Sequence, residues 1–386
     1  MASLRILELG PAVLRYHTRD KAYSDHWIQI VDQGVPSIHD QRVQTIIQHA
    51  LNPQTLILRF EFQAWKNFLP TFQNTVIELI QRGTVSSLSL EDVVDFPIVA
   101  LSGCRYLREL SLVSFHISDP DEGPGSSGDE VLEESKGYLE SLTLFASDQY
   151  VKKLINVLSL PCSLLDLTKL RRLSINLTGS DGRLAIENIP LVARGITNLE
   201  LRSGENGMYP LTIYYPIEKS EMKYTNQKRF FFSKADYDIC NLRNFPNLRS
   251  LLISISYNRH KRPIRGLATF LSKSDNSTPS TLEELTILFR HDVQAFQHEK
   301  SPQYTMHMFQ HKDWKDMDKS CPFNLFPTLR KLRLGLRPKD VGTFMSEPLR
   351  LSCISSLGQL MPTLCAVMDL TIEVFDGMSF IHFFSE

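Results

Sequence analysis

The chain has 386 residues, of which 42% are apolar and 22% charged, and its formal net charge is −1 at pH 7. This length suits two ordinary domains or one elongated array of repeats. A net charge near zero argues against a general nucleic-acid or membrane-surface binder. No run reaches the roughly 18 apolar residues that a membrane helix needs.

Residues 1–50 are the least readable part, and we predict an irregular N-terminal segment or cap there. The segment opens on a strand-like stretch with Leu4, Leu7 and Leu9, then turns polar with scattered aromatic residues. Repeat arrays carry a polar cap at each end, but none precedes Leu4.

Residues 51–386 begin with the stretch TLILRFEF, in which Leu56 and Leu58 share one strand face. A helix is predicted over 69–81, because its apolar residues recur on one side. These residues are Phe72, Val76, Leu79 and Ile80. Gly83 ends this helix, and a strand follows at 85–90.

A Leu-x-x-Leu-x-Leu frame recurs along the chain, and its most regular copies are FPNLRSLLISI at 245–255 and FPTLRKLRLGL at 326–336. Its second half alternates apolar and polar residues, which predicts a short strand with one apolar face. Such strands bury that face only by stacking. The middle apolar residues of successive copies are Leu88, Leu110, Leu142, Leu173, Leu199, Leu251, Leu285, Leu332 and Leu370.

Helical spacing of apolar residues between the strands predicts further helices over 150–160, 264–271 and 348–361. The last of these is expected to bury Cys353, Ile354, Leu357 and Leu360. A strand over 367–374 should close the array, and the apolar tail FIHFF should dock as a cap.

Three insertions interrupt the array, at 118–137, 202–240 and 290–322. The first has seven acids, one lysine and the tract GPGSSG, which predicts a disordered acidic loop. The alternative is an acidic docking loop or a phosphorylated segment.

The second insertion mixes aromatic residues with the cations Lys223, Lys228, Arg229 and Lys234. Acidic residues flank this group, so aromatics packed on the array are favoured over a nucleic-acid patch.

The third insertion holds His291, His298, His307, His311 and nearby Cys321. On a helix, His307 and His311 could meet one metal ion. No cysteine pair or zincin motif accompanies them, so solvated loop histidines are favoured.

The helix-then-strand unit resembles the leucine-rich-repeat family. Its irregular spacing is similar to the repeat regions of fungal F-box proteins, particularly in the segment 68–115, FLPTFQNTVIELIQRGTVSSLSLEDVVDFPIVALSGCRYLRELSLVSF. This resemblance implies an α/β fold: an irregular leucine-rich-repeat solenoid with a parallel sheet on the concave face and helices and loops on the convex face. It also implies the substrate-recognition part of a cullin-type ubiquitin ligase. No F-box is recognised in 1–50.

The residues between the buried leucines are expected to line the concave face and to bind a protein partner, because a preorganised surface loses less entropy on binding. The predicted contact residues are Glu109, Ser111, Arg172, Ser174, Asn198, Glu200, Ser250, Leu252, Glu284, Thr286, Lys331 and Arg333.

The six cysteines are scattered without a Cys-x-x-Cys pair, which predicts buried reduced thiols and a cytoplasmic or nuclear location. Phosphate-binding, nucleophile-elbow and zincin motifs are not found. The sequence therefore predicts no catalytic residue, cofactor or metal, and a protein-interaction module that binds neither nucleic acid nor membrane. The alternatives are a scaffold or regulator unrelated to ubiquitin, and an enzyme with its site in the insertions.

Overall fold

The computed structural model describes the residues 3–9, 14–19, 26–30, 53–68, 70–81, 83–97, 99–102, 104–113, 136–145, 154, 158, 165–177, 189, 193–203, 242–257, 264, 267, 281–291, 309–320, 326–336 and 347–374. The chain forms two compact units. The first comprises Met1–Ile175 and Glu187–Ile196, and the second comprises Asn176–Ile186 and Thr197–Glu386.

The described residues of the first unit form nine strands and the greater part of a tenth, β10, whose last two residues belong to the second unit. The strands are β1 (Ser3–Leu9), β2 (Leu14–Arg19), β3 (His26–Ile30), β4 (Thr55–Ala64), β5 (Ser87–Val94), β6 (Glu109–Val113), β7 (Gly137–Tyr138), β8 (Ser141–Phe145), β9 (Leu165–Asp166) and β10 (Arg172–Leu177). The helices are α1 (Pro70–Gln81) and α2 (Val99–Ser102), with a 3₁₀ turn at Trp65–Asn67.

The strands β4, β5, β6, β8 and β10 pair in parallel in that order. Their frame leucines stand in one register, so that Leu88, Leu110, Leu142 and Leu173 are direct neighbours. Each of these side chains is at most 2% exposed. This arrangement confirms the predicted stacking of the frame leucines in a parallel sheet.

Helix α1 confirms the predicted helix over 69–81. Its buried residues are Phe72, Val76, Leu79 and Ile80. An aromatic cluster continues this core, since Trp65 lies 4.8 Å from Phe96 and 5.8 Å from Phe68 between ring centroids. Edge-on aromatic contacts of this kind stabilise a core beyond their buried area.

The N-terminal strands extend the sheet of the first unit in a way that the repeat frame does not predict. Strand β1 pairs in parallel with β4, but it pairs antiparallel with β2, and β2 pairs antiparallel with β3. The frame at Leu4, Leu7 and Leu9 therefore does form a strand. The proposed division of the chain at residue 50 stays a prediction.

The second unit repeats the parallel arrangement with β11 (Asn198–Ser203), β12 (Ser250–Tyr257), β13 (Glu284–His291), β14 (Lys331–Leu336) and β15 (Asp369–Val374). Its frame leucines Leu199, Leu251, Leu285 and Leu332 share one register and are buried. The helices are α3 (Asp313–Ser320), α4 (Glu347–Leu360) and α5 (Pro362–Val367), with a 3₁₀ turn at Leu242–Asn244.

Helix α3 lies in the insertion 290–322 and belongs to the core. Its Trp314 is fully buried and meets Phe289 of β13 at 6.1 Å between ring centroids, beside Phe309. Asp318 of α3 also accepts a hydrogen bond from the backbone N–H of Leu364 at 2.8 Å. The α3 carboxylate therefore caps the first turn of α5.

Two details near the end of the chain correct the sequence prediction. Val367 was expected to begin the last strand, but it ends α5 and is 57% exposed. Ile354 and Leu360 were expected to be buried with Cys353 and Leu357, but both are half-buried. Helix α4 packs against the core along one narrow face. Cys353 and Leu357 lie at the centre of that face, and Ile354 and Leu360 lie at its edges.

Several predicted features fall outside the described residues. These are the acidic part of 118–137, the stretch TIYYPI and the tail FIHFF. Of the helices predicted over 150–160 and 264–271, the structure describes Leu154, Leu158, Ile264 and Leu267, each helical and buried. Among the helices of the described segments, none has the length and apolar character needed to span a bilayer.

Candidate functional site

The candidate site is the set of side chains that alternate with the buried leucines, which we call the outward rows. In a strand, successive side chains point to opposite faces. Because the parallel strands share one register, alternate residues of neighbouring strands line up as rows across the sheet. Each unit has its own outward rows, and they are described separately.

The first outward row of the first unit is polar and charged. Its members in strand order are Ser87, Glu109, Ser141 and Arg172. Arg172 Nη2 lies 2.7 Å from Glu109 Oε1, although β8 separates their strands. The small side chain of Ser141 stands between the two partners in the register. Both charged side chains remain partly accessible, so this row presents a neutralised ion pair.

The second outward row of the first unit consists of hydroxyl groups. Its members on four adjacent strands are Ser89, Ser111, Thr143 and Ser174. Neighbouring strands in a sheet lie about 4.8 Å apart, so the row spans about 15 Å. Hydroxyl groups both donate and accept hydrogen bonds. Because all four side chains are short, the row forms a shallow polar line beside the ion pair.

An ion pair borders the hydroxyl row on its β5 side. Arg59 Nη2 of β4 lies 2.6 Å from Glu91 Oε2 of β5, and Ser89 Oγ donates to Glu91 Oε1 at 3.3 Å. Glu91 shares its register with Val113 and Phe145 on the next strands. The hydroxyl row is therefore flanked by charge on one strand and by apolar side chains on two others.

The outward rows of the second unit are also mixed in charge. The first row consists of Asn198, Ser250, Glu284 and Lys331, and the second consists of Glu200, Leu252, Thr286 and Arg333. Arg333 Nε bridges to Glu284 Oε1 at 2.9 Å. Arg202 forms an ion pair with the buried Glu200 on the same strand.

Four of the twelve predicted contact residues are covered in the structure. The exposed fractions are 8% for Ser174, 4% for Glu200, 2% for Leu252 and 2% for Thr286. Further along the same strands, Ser254 and Leu288 are completely buried. A partner cannot reach these residues in this conformation, so the expectation that every outward position is accessible is wrong for them. Alternation fixes the direction of a side chain but not what covers it.

The other eight predicted contact residues retain accessible surface, and the structure places them on their expected strands. They are Glu109, Ser111 and Arg172 in the first unit, and Asn198, Ser250, Glu284, Lys331 and Arg333 in the second. Whether they contact a partner stays a prediction. The predicted contact residues do not include Ser87, Ser89 and Glu91 of β5. The alternation of these residues with Leu88 and Leu90 could have identified them from the sequence.

The histidine group of the third insertion is only partly described. His311 Nδ1 accepts a hydrogen bond from the Asp313 backbone N–H at 3.3 Å and lies 3.5 Å from its carboxylate. His307 lies outside the described residues. Within the described ranges, no three His, Cys, Asp or Glu side chains come together as a metal-binding group.

The described cysteines, Cys104, Cys353 and Cys365, form no disulfide. Burial raises the pKa of Cys104 to about 12 and the pKa of Cys353 to about 11. Burial, followed by the nearby Asp318 carboxylate, also raises the pKa of the half-buried Cys365. A thiol with a raised pKa is a poor nucleophile at neutral pH. Cys162, Cys240 and Cys321 lie outside the described residues, as does the cation group at 223–234.

Comparison with known proteins gives little beyond the fold described above. No family model matches the chain, and no curated protein matches it. Among solved structures, the chain is similar to an internalin from Listeria monocytogenes. The two are 14% identical, the match covers 85% of this chain and 77% of that chain, and the TM-score is 0.27. A TM-score of this size does not establish a shared fold, so the fold assignment rests on the strand register.

Proposed function

We propose that the chain is a non-enzymatic protein-interaction module, and that the outward rows of the first unit bind a segment of a partner protein. The observation that carries this proposal is the accessible part of the hydroxyl row, Ser89, Ser111 and Thr143, held in one register on three adjacent strands. A polypeptide backbone offers alternating donors and acceptors, and hydroxyl groups satisfy both.

Rigidity supports this assignment. Strands β5, β6 and β8 are hydrogen-bonded on both sides, and their leucines are anchored in the core. The row therefore loses little conformational freedom when a partner binds, which favours affinity. The pair of Arg172 and Glu109 lies in the neighbouring row and offers the bound segment one hydrogen-bond donor group and one acceptor group.

The test is a steric block at the centre of the row. Ser111→Trp fills the hydroxyl row, whereas Asn74→Trp adds the same bulk at an exposed position of α1. We expect partners that cross-link to the wild-type chain to be lost with Ser111→Trp and kept with Asn74→Trp. Both variants should first show thermal unfolding like the wild type. Retention of every partner by Ser111→Trp would refute the proposal.

The resemblance to fungal F-box proteins supports a finer version of this function. In that version, the bound partner is a substrate presented to a cullin-type ubiquitin ligase in the cytoplasm or nucleus. Affinity purification of the natural full-length protein is expected to recover a cullin adaptor. Recovery of partners without any adaptor would instead favour a scaffold or regulator unrelated to ubiquitin.

A further inference from the structure

A second polar surface lies on the turns that lead into β6, β8 and β10 in the first unit. We call the residues 104–108, 136–140 and 165–171 the turn rim. Backbone hydrogen bonds join its three parts, from Leu139 N to Asp166 O at 2.9 Å, from Glu140 N to Arg108 O at 2.7 Å and from Arg171 N to Glu140 O at 2.9 Å. The rim is therefore one connected surface of fixed geometry.

The turn rim is strongly basic in a chain whose net charge is −1. It holds five cations, Arg105, Arg108, Lys136, Lys169 and Arg171, and two carboxylates, Glu140 and Asp166. Asp166 is engaged locally, because its oxygens accept from the backbone N–H and hydroxyl group of Thr168 at 2.8 and 2.5 Å. In the corresponding turns of the second unit, Arg249 lies 3.8 Å from the carboxylate of Glu283.

Tyr138 organises the centre of the rim. The Arg108 guanidinium lies 4.1 Å from the centroid of its ring, and the Lys169 ammonium lies 4.4 Å from it. Arg108 is held further by the carbonyl groups of Arg105, Leu107 and Tyr138, each 3.2 Å from its Nη1. Cation–π contacts stabilise charged groups next to an aromatic face. Two cations are thus fixed beside one tyrosine.

Tyr106 organises the outer part of the rim. Its side chain is 43% exposed. Arg105 stacks on it at 4.6 Å from the ring centroid and donates to its hydroxyl group at 2.6 Å. The ring rests on Gly83, where an added Cβ would lie 2.5 Å from a ring carbon. The position of Arg105 is therefore set before any ligand arrives.

The geometry points to a second binding surface, and we propose that the turn rim binds an acidic segment of a partner protein. Preorganised guanidinium and ammonium groups recognise carboxylate or phosphate groups through charge-assisted hydrogen bonds. Three adjacent strands span about 10 Å, which matches about three residues of an extended peptide. The same width is less than a third of the ~34 Å turn of a DNA duplex, so a duplex would contact the rim over only a few base pairs.

This proposal does not depend on the hydroxyl row, because the rim precedes β6, β8 and β10 and shares no residue with the row. It is tested by fluorescence anisotropy with labelled hexaglutamate on the full chain at low salt. We expect saturable binding that weakens at least fivefold in the pair Arg105→Ala and Lys169→Ala. The matched pair Lys312→Ala and Lys315→Ala removes two exposed cations from the second unit and should change the affinity less than twofold.

A further variant tests whether binding depends on the fixed position of Arg105 or only on the number of positive charges. Tyr106→Leu keeps every cation but removes the ring on which Arg105 stacks, and we expect at least threefold weaker binding. A labelled hexathymidylate should bind more weakly than hexaglutamate. The proposal would be overturned by absence of saturable peptide binding, by equal losses in the two charge pairs, by an unchanged affinity in Tyr106→Leu, or by tighter binding of the oligonucleotide.

Discussion

Arg172 and Glu109 form an ion pair across an intervening strand, with Nη2 and Oε1 2.7 Å apart. Strand β8 contributes only Ser141 at the same level of the sheet. A larger side chain at this position would separate the two charges. The outward rows thus combine charge with a small residue, and this combination keeps both charged groups on the accessible side of the sheet.

Neutralising this pair is expected to have a small effect on stability. The two side chains are 25% and 42% exposed, and accessible ion pairs contribute about 0–1 kcal/mol. A double-mutant cycle of Glu109→Gln and Arg172→Met, followed by urea unfolding, should therefore give a coupling energy below about 1 kcal/mol. A coupling energy above about 2 kcal/mol would make the pair a determinant of the fold.

Removing a frame leucine is expected to have a large effect. Leu110 is buried between the leucines of β5 and β8, and Leu→Ala substitutions in a core cost about 2–5 kcal/mol. The neighbouring Ser111 points to the opposite face, so Ser111→Ala should cost about 0.5 kcal/mol or less. Chemical unfolding of both variants measures the difference. Equal losses would contradict the assignment of the two faces.

Gly137 is expected to tolerate no side chain. An added Cβ would lie 1.5 Å from the carbonyl oxygen of Arg105, and overpacking of this kind costs about 1–3 kcal/mol or more. Gly358 of α4 is the matched control, because a Cβ there meets nothing within 4 Å. Gly358→Ala should stabilise the helix by up to about 1 kcal/mol. Differential scanning calorimetry should show melting temperatures that move in opposite directions, and a shared direction would be inconsistent with this packing.

The Cys104 thiol is expected to lower the free energy of unfolding as the pH rises above 9. Its pKa is about 12 in the folded chain, compared with 9.0 without burial. Below pH 9 the thiol is protonated in both states, so it adds no pH dependence. Between pH 9 and about 12 the unfolded state loses the proton first, so the free energy of unfolding falls as pH rises.

Cys104→Ala tests this effect, because it removes the titrating group. The difference in unfolding free energy between wild type and variant should stay constant up to pH 9 and then shrink. Mass spectrometry after N-ethylmaleimide treatment at pH 7 should find Cys104 and Cys353 unlabelled in the folded chain. A pH-independent difference, or rapid labelling of Cys104, would contradict its burial.

The sequence predicts the sheet well because the frame records side-chain direction. Leu88, Leu110, Leu142 and Leu173 could be placed in one core from spacing alone, and α1 could be placed from its four apolar residues. Strands β2 and β3 were missed because polar residues interrupt their apolar alternation. Helix α3 was missed because its sequence, DWKDMDKS, offers only Trp314 and Met317 as an apolar signal.

The candidate site was harder to predict than the sheet. The frame gives the outward positions, but it does not tell which of them are covered. Leu252 and Thr286 are buried although their neighbours Ser250 and Glu284 are accessible. The turn rim was also missed, because its residues come from three separate segments and only the register of the strands brings Tyr138 beside Arg108 and Lys169.

The place of α3 limits how the chain can be shortened. Trp314 fills space next to Phe289, and Asp318 holds the first turn of α5. A splice variant or truncation that removed residues 309–320 would uncover a phenylalanine and release a helix end about 45 positions further along the sequence. A segment that reads as a loop in the sequence is thus required for the packing of Phe289 and for the start of α5.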